Sequence, residues 1–263
     1  MSKWKDLTIC DDFIFKKVML DVDICKELLE MILDTSIARV EYIEVEKTID
    51  ISVDSKSVRL DVYMKDGNNA YNIEMQTVNE NDLPKRSRYY QGMIDMDLIG
   101  KGVRYDSLDP SYIIFICAFD PFKKDSYMYT FQNTCKEVEN LTLGDETKKI
   151  FLNAKSANKA TPKLRAFLNY VAGKESDDAF VRRIDEAVKK VKDNEKWRME
   201  YMTLLVRDQK NIEKGIGLGR NQRDTEIVIN MNRKGVSKSL IAELAGLSEE
   251  KVDEILSGAL ASK

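Results

Sequence analysis

The chain has 263 residues, of which 43% are hydrophobic and 33% are charged, and its formal net charge is −3. This composition excludes general disorder, and the charge gives no overall attraction to nucleic acid, so a polyanion would have to bind a local basic patch. The chain contains no histidine. That absence excludes Ser-His-Asp and Cys-His catalysis, zinc sites that use histidine, and nucleases with a histidine general base.

The first part of the chain predicts helix, then strands, then helix again. Apolar residues recur at helical spacing from Asp11 or Asp12 to about Leu33, which indicates one or two helices. From Tyr42 to Gln76, alternation and β-branched residues predict a strand pair, with a hairpin turn at residues 66–69 (Asp-Gly-Asn-Asn). The polar segment from Leu83 to Ile99 predicts a helix that has proline in its first turn.

The middle of the chain predicts further strands. Residues 112–119 (Tyr-Ile-Ile-Phe-Ile-Cys-Ala-Phe) form an uninterrupted apolar run, which is typical of a strand buried on both faces at the centre of a sheet. Residues 127–131 and 150–154 predict two more strands, and helices follow from Pro162 onward. This order favours an α/β (α+β) core in which helices flank a central mixed sheet.

Glycines and serines divide the C-terminal part. The sequence Gly-Ile-Gly-Leu-Gly at residues 215–219 lacks both the Gly-Lys-Ser/Thr ending of a Walker motif and a preceding strand, so it predicts a hinge or helix break. Residues 224–263 predict a three-helix module of helix-turn-helix type, because serines stand at helix starts and glycines at helix stops. We therefore expect a domain at 1–205, a connector at 206–223 and a module at 224–263.

The two strands that flank the predicted hairpin place polar residues on shared faces. Asn72, Glu74 and Gln76 alternate along the second strand, and Asp61 lies in the first. If the hairpin closes through a two-residue loop, antiparallel pairing places Asp61 opposite Glu74 and Arg59 opposite Gln76. Opposed side chains have Cβ atoms about 5 Å apart, and like charges at that separation are destabilising.

A divalent cation between Asp61 and Glu74 would offset this repulsion. Mg²⁺ takes oxygen ligands from one or two carboxylates together with waters and substrate phosphate, and Mn²⁺ or Ca²⁺ could substitute for it. Such an ion can lower the pKa of a bound water and offset charge on a phosphodiester. Gln76 could hydrogen-bond the attacking water or the phosphate, so this chemistry needs no histidine.

The order of these motifs resembles the PD-(D/E)XK nuclease superfamily, and specifically its recombination-promoting nuclease/putative transposase family. The resemblance begins with Asp61, the hairpin and Glu74-Met-Gln76. It extends over most of residues 12–216 through four further segments: Asp12-Phe-Ile-Phe-Lys-Lys17, Arg86-Ser-Arg-Tyr-Tyr-Gln91, Tyr105-Asp-Ser-Leu-Asp-Pro110 and Glu213-Lys-Gly-Ile216.

The resemblance implies a restriction-endonuclease-like core and metal-dependent cleavage of DNA. It implies that Asp61 and Glu74 are metal ligands and that Gln76 replaces the lysine of the wider superfamily. Leu60 stands where the name-giving proline would be. We expect an endonuclease that acts in DNA recombination, transposon-like mobility or defence against foreign DNA. The alternatives are a nuclease-fold protein that binds DNA or a protein partner without cutting, and a structural adaptor that acts through the terminal helices.

Other residues are candidates for the same site. Asp12 is either an additional acid from the first helix or an N-cap. A basic segment directly follows the predicted active-site strand and is either a DNA-phosphate contact surface or an exposed helix start. Its predicted phosphate contacts, together with one residue further along the chain, are Lys85, Arg86, Arg88, Tyr89 and Arg104.

The terminal module does not have the charges of a DNA reader. Its last predicted helix contains four acidic residues, Glu249, Glu250, Asp253 and Glu254, against Lys251, and carboxylates beside phosphates oppose DNA binding. A partner-binding or homo-oligomer interface is favoured there instead. The first residues lack an apolar signal core and no 18-residue apolar stretch occurs, so we expect no membrane association and a cytoplasmic location.

Overall fold

The described part of the chain contains one sheet of six strands. The structure is a computed structural model that describes residues 3–50 and 57–261. The strands are β1 (Tyr42–Ile49), β2 (Val58–Lys65), β3 (Ala70–Gln76), β4 (Ser111–Cys117), β5 (Met128–Phe131) and β6 (Thr147–Asn153). Their spatial order is β1-β2-β3-β4-β6-β5.

The sheet is mixed, as the sequence predicts. The pairs β1–β2, β2–β3 and β5–β6 are antiparallel, whereas β4 runs parallel to both β3 and β6. The apolar run predicted as a central strand is β4, which lies between two neighbours and is almost wholly buried. The predicted α/β core with flanking helices is therefore confirmed.

The segment from residue 42 to residue 76 differs from the predicted strand pair, because it forms three strands. β1 pairs with β2 on the side opposite to β3 and is one of the two edge strands of the described sheet. Most of its residues are exposed or half-buried. Its alternation of buried and exposed side chains is therefore weaker than that of a strand buried on one face. Residues 51–56, inside the predicted segment, lie outside the described residues.

Helices flank the sheet in the first part of the chain. They are α1 (Lys3–Asp6), α2 (Asp12–Met19), α3 (Val22–Leu33), α4 (Leu83–Leu98), α5 (Pro162–Val171) and α6 (Ala179–Asp193). The N-terminal helical stretch divides into α2 and α3 because Asp11 and Asp21 each accept backbone N–H groups at a helix start. The helix predicted between Leu83 and Ile99 is confirmed as α4.

Aromatic side chains pack across β4 and β6. The rings of Phe115 in β4 and Phe151 in β6 stack with centroids 5.2 Å apart. Phe122 meets Phe151 edge-on at 5.1 Å. Since such ring pairs contribute about 0.5–1.5 kcal/mol beyond the area that they bury, this cluster stabilises the packing of β4 beside β6.

Three helices follow: α7 (Glu195–Arg233), α8 (Lys238–Ala245) and α9 (Glu249–Ala261). The predicted helix break at residues 215–219 is wrong, because α7 runs through all three glycines. Each of them faces open space, and glycine in an exposed helix costs only about 1 kcal/mol relative to alanine. The helices predicted to begin near Ser237 and Ser248 are α8 and α9.

The end of α7 packs with α8 and α9 around a small apolar core of Val228, Ile241, Ala242 and Val252. By internal contacts the chain divides into two compact units, one ending at Arg198 and the other beginning at Met199. The domain boundaries predicted after residues 205 and 223 remain predictions. Both positions lie within α7. Among the described residues, no helix combines the length and the apolar character needed to cross a membrane.

Candidate active site

The β2–β3 hairpin has the predicted register. Asp66 N–H donates to the Asn69 carbonyl at 3.2 Å, and Gly67 has φ of +99°, at the position where glycine favours this kind of tight turn. The ladder runs from the Lys65–Ala70 pair to the Val62–Ile73 pair. The next position along the two strands brings Asp61 and Glu74 together.

A hydrogen bond joins the two acidic residues. The backbone N–H of Asp61 donates to Oε1 of Glu74 at 3.1 Å. The side-chain amide of Asn72 donates to the same oxygen, also at 3.1 Å. Glu74 is buried, with 3% of its surface exposed, and the Asp61 side chain is 14% exposed. These contacts fix the Glu74 carboxylate beside Asp61.

Burial disfavours the ionised forms of both acids, and repulsion from Glu74 adds to this effect at Asp61. Burial raises the pKa of Asp61, and the neighbouring Glu74 raises it further. Burial also raises the pKa of Glu74, although the hydrogen bonds from the Asp61 N–H and from Asn72 oppose this shift. A cation bound between the carboxylates would favour their ionised forms, so the pair has the electrostatics of a cation site.

The third predicted catalytic residue, Gln76, lies at the end of β3 and accepts a hydrogen bond at Oε1 from the guanidinium of Arg86. This guanidinium lies 5.5 Å from the centre of the Phe115 ring and 6.0 Å from that of Tyr90. Arg86 also lowers the pKa of Glu74 electrostatically. α4 therefore brings a fixed positive charge to the edge of the carboxylate pair.

A buried lysine reaches the pair from the other side. Lys16 in α2 is 3% exposed, and its Nζ lies 2.5 Å from Asp12 Oδ2 and 2.9 Å from Glu46 Oε1. The distance from Nζ to Asp61 Oδ1 is 3.9 Å. Asp12 is not the N-cap of α2, because Asp11 occupies that position. Its carboxylate forms an ion pair with Lys16 instead.

Comparison with family models identifies the family of this chain. The model described as PD-(D/E)XK nuclease family transposase matches residues 9–210, which include every residue of the site described above. The chain belongs to this PD-(D/E)XK family. Searches of the curated proteins and of the solved structures gave no significant match.

The sequence prediction missed two residues that lie beside this candidate site, Lys16 and Glu46. Lys16 stands four residues after Asp12, the spacing at which opposite charges pair on a helix, and this signal could have identified it. No comparable signal marks Glu46, which has φ of +58° within β1. A positive φ is uncommon for a residue other than glycine and recurs at functional sites.

The predicted phosphate contacts of this PD-(D/E)XK protein divide into two groups. Lys85, Arg88 and Tyr89 are exposed along α4, where a DNA backbone could reach them. Arg86 instead turns toward Gln76, with 22% of its side chain exposed. Arg104 is 84% exposed and forms an ion pair with Asp106 at 2.6 Å, so its charge is already balanced.

The residues present fit a small hard cation. Within residues 3–50 and 57–261, no group of three or more histidine, cysteine or acidic side chains is arranged to hold a metal ion. Two carboxylates do meet at Asp61 and Glu74, and Mg²⁺ binds through one or two carboxylates when waters and substrate phosphate complete its shell. In this PD-(D/E)XK protein these two side chains would hold the ion.

Proposed function

We propose that this protein is a metal-dependent DNA endonuclease, which hydrolyses phosphodiester bonds in DNA recombination, transposon-like mobility or defence against foreign DNA. The observation that supports this function best is the buried Asp61–Glu74 pair, held by a hydrogen bond of 3.1 Å. Burying two carboxylates beside each other costs stability unless a cation compensates. Membership of the PD-(D/E)XK family supplies the reaction class.

Mg²⁺ is the proposed cofactor, with Mn²⁺ or Ca²⁺ as substitutes in binding experiments. Asp61 and Glu74 would hold the ion, because oxygen ligands suit hard cations. When bound, it would supply Lewis-acid stabilisation of the negative charge that develops on the phosphodiester. Asn72 supports this role by fixing the Glu74 carboxylate through its hydrogen bond to Oε1, as the outer contacts of metal ligands commonly do.

Gln76 and Arg86 have complementary roles in this proposal. The Gln76 amide orients the attacking water or a phosphate oxygen, but an amide cannot supply positive charge or act as a general base. Arg86, which hydrogen-bonds Gln76, supplies a positive charge beside it. Its Nε is buried without a hydrogen-bond partner among the described residues. The guanidinium therefore retains unused hydrogen-bonding capacity at the site.

The exposed basic side chains that begin α4 would position the DNA backbone. Lys85 and Arg88 are separated by one helical turn, so they lie on the same face of α4. Contacts from this face to phosphates would set the register of the duplex without reading sequence. Homo-oligomer formation through the C-terminal helices and a cytoplasmic location remain predictions from the sequence.

A nicking assay on supercoiled plasmid tests the proposed function. Wild-type protein should nick the plasmid with Mg²⁺ or Mn²⁺, and Asp61→Ala should be slower by at least about a hundredfold, since even outer contacts of a metal ligand contribute 10–100-fold. Glu44→Gln is the matched control, because Glu44 also lies in the sheet but its side chain is 52% exposed. Equal residual cleavage by wild type and Asp61→Ala would assign the activity to a contaminant.

One observation favours a second function, binding of DNA or a protein partner without cleavage. Lys16 already places an ammonium 3.9 Å from Asp61, which partly compensates the acidic cluster without a metal. Titration calorimetry distinguishes the two functions. A wild-type protein that binds DNA but shows no heat of Mn²⁺ binding would support the second function and contradict the first.

A further inference from the structure

Three acidic side chains lie around one buried ammonium beside the active-site strands, and a fourth is linked to it through Asp61. Nζ of Lys16 lies within 4.0 Å of carboxylate oxygens of Asp12, Glu46 and Asp61, and Asp61 in turn contacts Glu74. When Asp61 and Glu74 are both ionised, these four carboxylates face the Lys16 ammonium and the nearby Arg86 guanidinium, so the cluster keeps an excess of negative charge. This excess would attract cations. The positive charge of Lys16 reduces the negative charge that is available to a metal ion.

Secondary structure fixes Lys16 in this position. Its neighbours in α2, Phe15, Val18 and Met19, are fully buried, and the Asp11 cap holds the start of the helix. The Lys16 side chain can therefore adopt few conformations. Burial lowers the pKa of Lys16, but Asp12 and Glu46 raise it by more, so the net shift is upward. The side chain remains a cation at neutral pH.

The backbone of β1 supports the same arrangement. Glu46 is in the left-handed region with φ of +58°, a conformation that costs on the order of 1 kcal/mol or more for a residue other than glycine. Its carboxylate pairs with Lys16 at 2.9 Å, and this contact lowers the pKa of Glu46 although burial opposes it. The strained residue therefore contributes directly to holding the ammonium.

We propose that Lys16 is a built-in counter-ion, which engages Asp12 and Glu46 and competes with a metal ion for Asp61. The proposal rests on the proposed metal-dependent function. Lys16 is a positioning residue here, because it acts through the carboxylates. It confines the acidic cluster to one site of two carboxylates, Asp61 and Glu74, and keeps the affinity of that site for divalent cations low.

Calorimetric titration of the full-length protein with Mn²⁺ tests the proposal. Lys16→Met removes the charge and keeps much of the side-chain volume, so it should raise the association constant at least about tenfold, as expected when a unit charge a few ångströms away is removed. Lys16→Arg keeps the charge and should bind within about threefold of wild type by the same reasoning. Lys17→Met is the matched control, since it removes the adjacent positive charge, which is only half-buried.

The outcomes separate this proposal from the proposed function. If wild type binds Mn²⁺ and cleaves DNA while Lys16→Met binds no more tightly, Lys16 is not a counter-ion and the nuclease function stands. If only Lys16→Met binds Mn²⁺, the counter-ion role stands and the metal-dependent function of the wild type fails. If neither binds Mn²⁺, both are overturned.

A measurement on the wild-type protein covers the case in which Lys16→Met does not fold. The side-chain ¹³Cε signal of Lys16, assigned by its disappearance in Lys16→Arg, should shift when Ca²⁺ is added, because the ion takes Asp61 from the ammonium. The corresponding signal of Lys17 should shift much less. A Lys16 signal that stays unchanged at saturating Ca²⁺ would overturn the proposal.

Discussion

The backbone N–H of Asp61 donates to Oε1 of Glu74 at 3.1 Å, across the two strands that the hairpin joins. The main chain of one proposed metal ligand therefore orients the side chain of the other. Because Asn72 donates to the same oxygen at 3.1 Å, the carboxylate is held from two directions before any ion binds. Such preorganisation is what a metal site requires of its supporting contacts.

The stability of the metal-free protein should fall as pH rises. Asp61 and Glu74 both have raised pKa values in the folded protein, so the folded chain binds more protons than the unfolded one above the unfolded carboxyl pKa of about 4. Their contribution is complete below that pH and is lost as pH rises through the folded values. We expect the unfolding free energy, measured by urea denaturation, to decrease between about pH 5 and about pH 8.

Asp61→Asn is the control for this pH dependence. It removes one of the two carboxyls whose pKa is raised by folding, so it should raise the unfolding free energy of the metal-free protein by about 1–3 kcal/mol at about pH 8 and flatten the profile. Groups with lowered pKa values, such as Asp66 and Asp120, act in the opposite direction. Their contribution is lost only as pH falls below the ordinary range of aspartate. A wild-type profile that stays level from about pH 5 to about pH 8 would refute the prediction.

The exposed basic face of α4 predicts a salt-dependent contribution to DNA binding. Lys85→Gln and Arg88→Gln should each weaken binding uniformly across sequences and reduce the slope of log K against log salt by about 1. Arg104→Gln should change the slope less, because Asp106 already pairs with Arg104 at 2.6 Å. Fluorescence anisotropy with labelled duplexes at several salt concentrations measures the slopes. Identical slopes for wild type and both α4 variants would show that DNA does not contact this face.

The Asp66 side chain should stabilise the hairpin that aligns the two acids. Its carboxylate accepts hydrogen bonds from the N–H groups of Asn68 and Asn69, at 3.2 and 2.9 Å, and from the Tyr71 hydroxyl at 2.7 Å. Asp66→Ala should therefore lower the unfolding free energy by about 1–3 kcal/mol at neutral pH.

Asp109→Ala is a suitable comparison for the hairpin variant. Asp109 pairs with Lys65 beside the same hairpin at 2.8 Å, but a partly exposed ion pair contributes only about 0–1 kcal/mol. Urea denaturation of the two variants, followed by Mn²⁺ titration, measures both effects. An Asp66→Ala protein as stable as Asp109→Ala would mean that the turn holds its register without the carboxylate.

Local sequence signals account for the part of the site that lies within one hairpin. The tetrapeptide Asp66-Gly67-Asn68-Asn69 specifies a tight turn, and a tight turn determines which residues of the two strands pair. The observed ladder from Lys65–Ala70 to Val62–Ile73 has that register. Asp61 and Glu74 could therefore be brought together from the sequence alone.

The rest of the site depends on packing between distant segments. Lys16 and Glu46 are 30 residues apart in sequence and meet only because α2 packs against the sheet. The positive φ of Glu46 has no signature in its neighbours. Arg86 could be recognised as basic and helical, but its contacts with Gln76 and Phe115 depend on the crossing of α4 over the sheet, which periodicity does not specify.

Restoring a lysine at position 76 should not create a better enzyme. Arg86 already occupies the space beside Gln76, where it donates to Oε1 and lies 5.5 Å from the centre of the Phe115 ring. Gln76→Lys would place a second cation against this guanidinium and remove its acceptor. We expect lower stability by about 1–3 kcal/mol and nicking no faster than that of wild type.

The double variant Gln76→Lys/Arg86→Gln tests whether repulsion is the cause. It keeps one cation and one amide at the two positions but exchanges them, so it should be more stable than the sum of the two single variants predicts. Residues in contact give coupling energies of about 0.5–3 kcal/mol in such cycles. Additive effects on urea denaturation would show that Arg86 and position 76 act independently. If Gln76→Lys alone nicks DNA faster than wild type, the site needs a positive charge at position 76 in addition to that of Arg86.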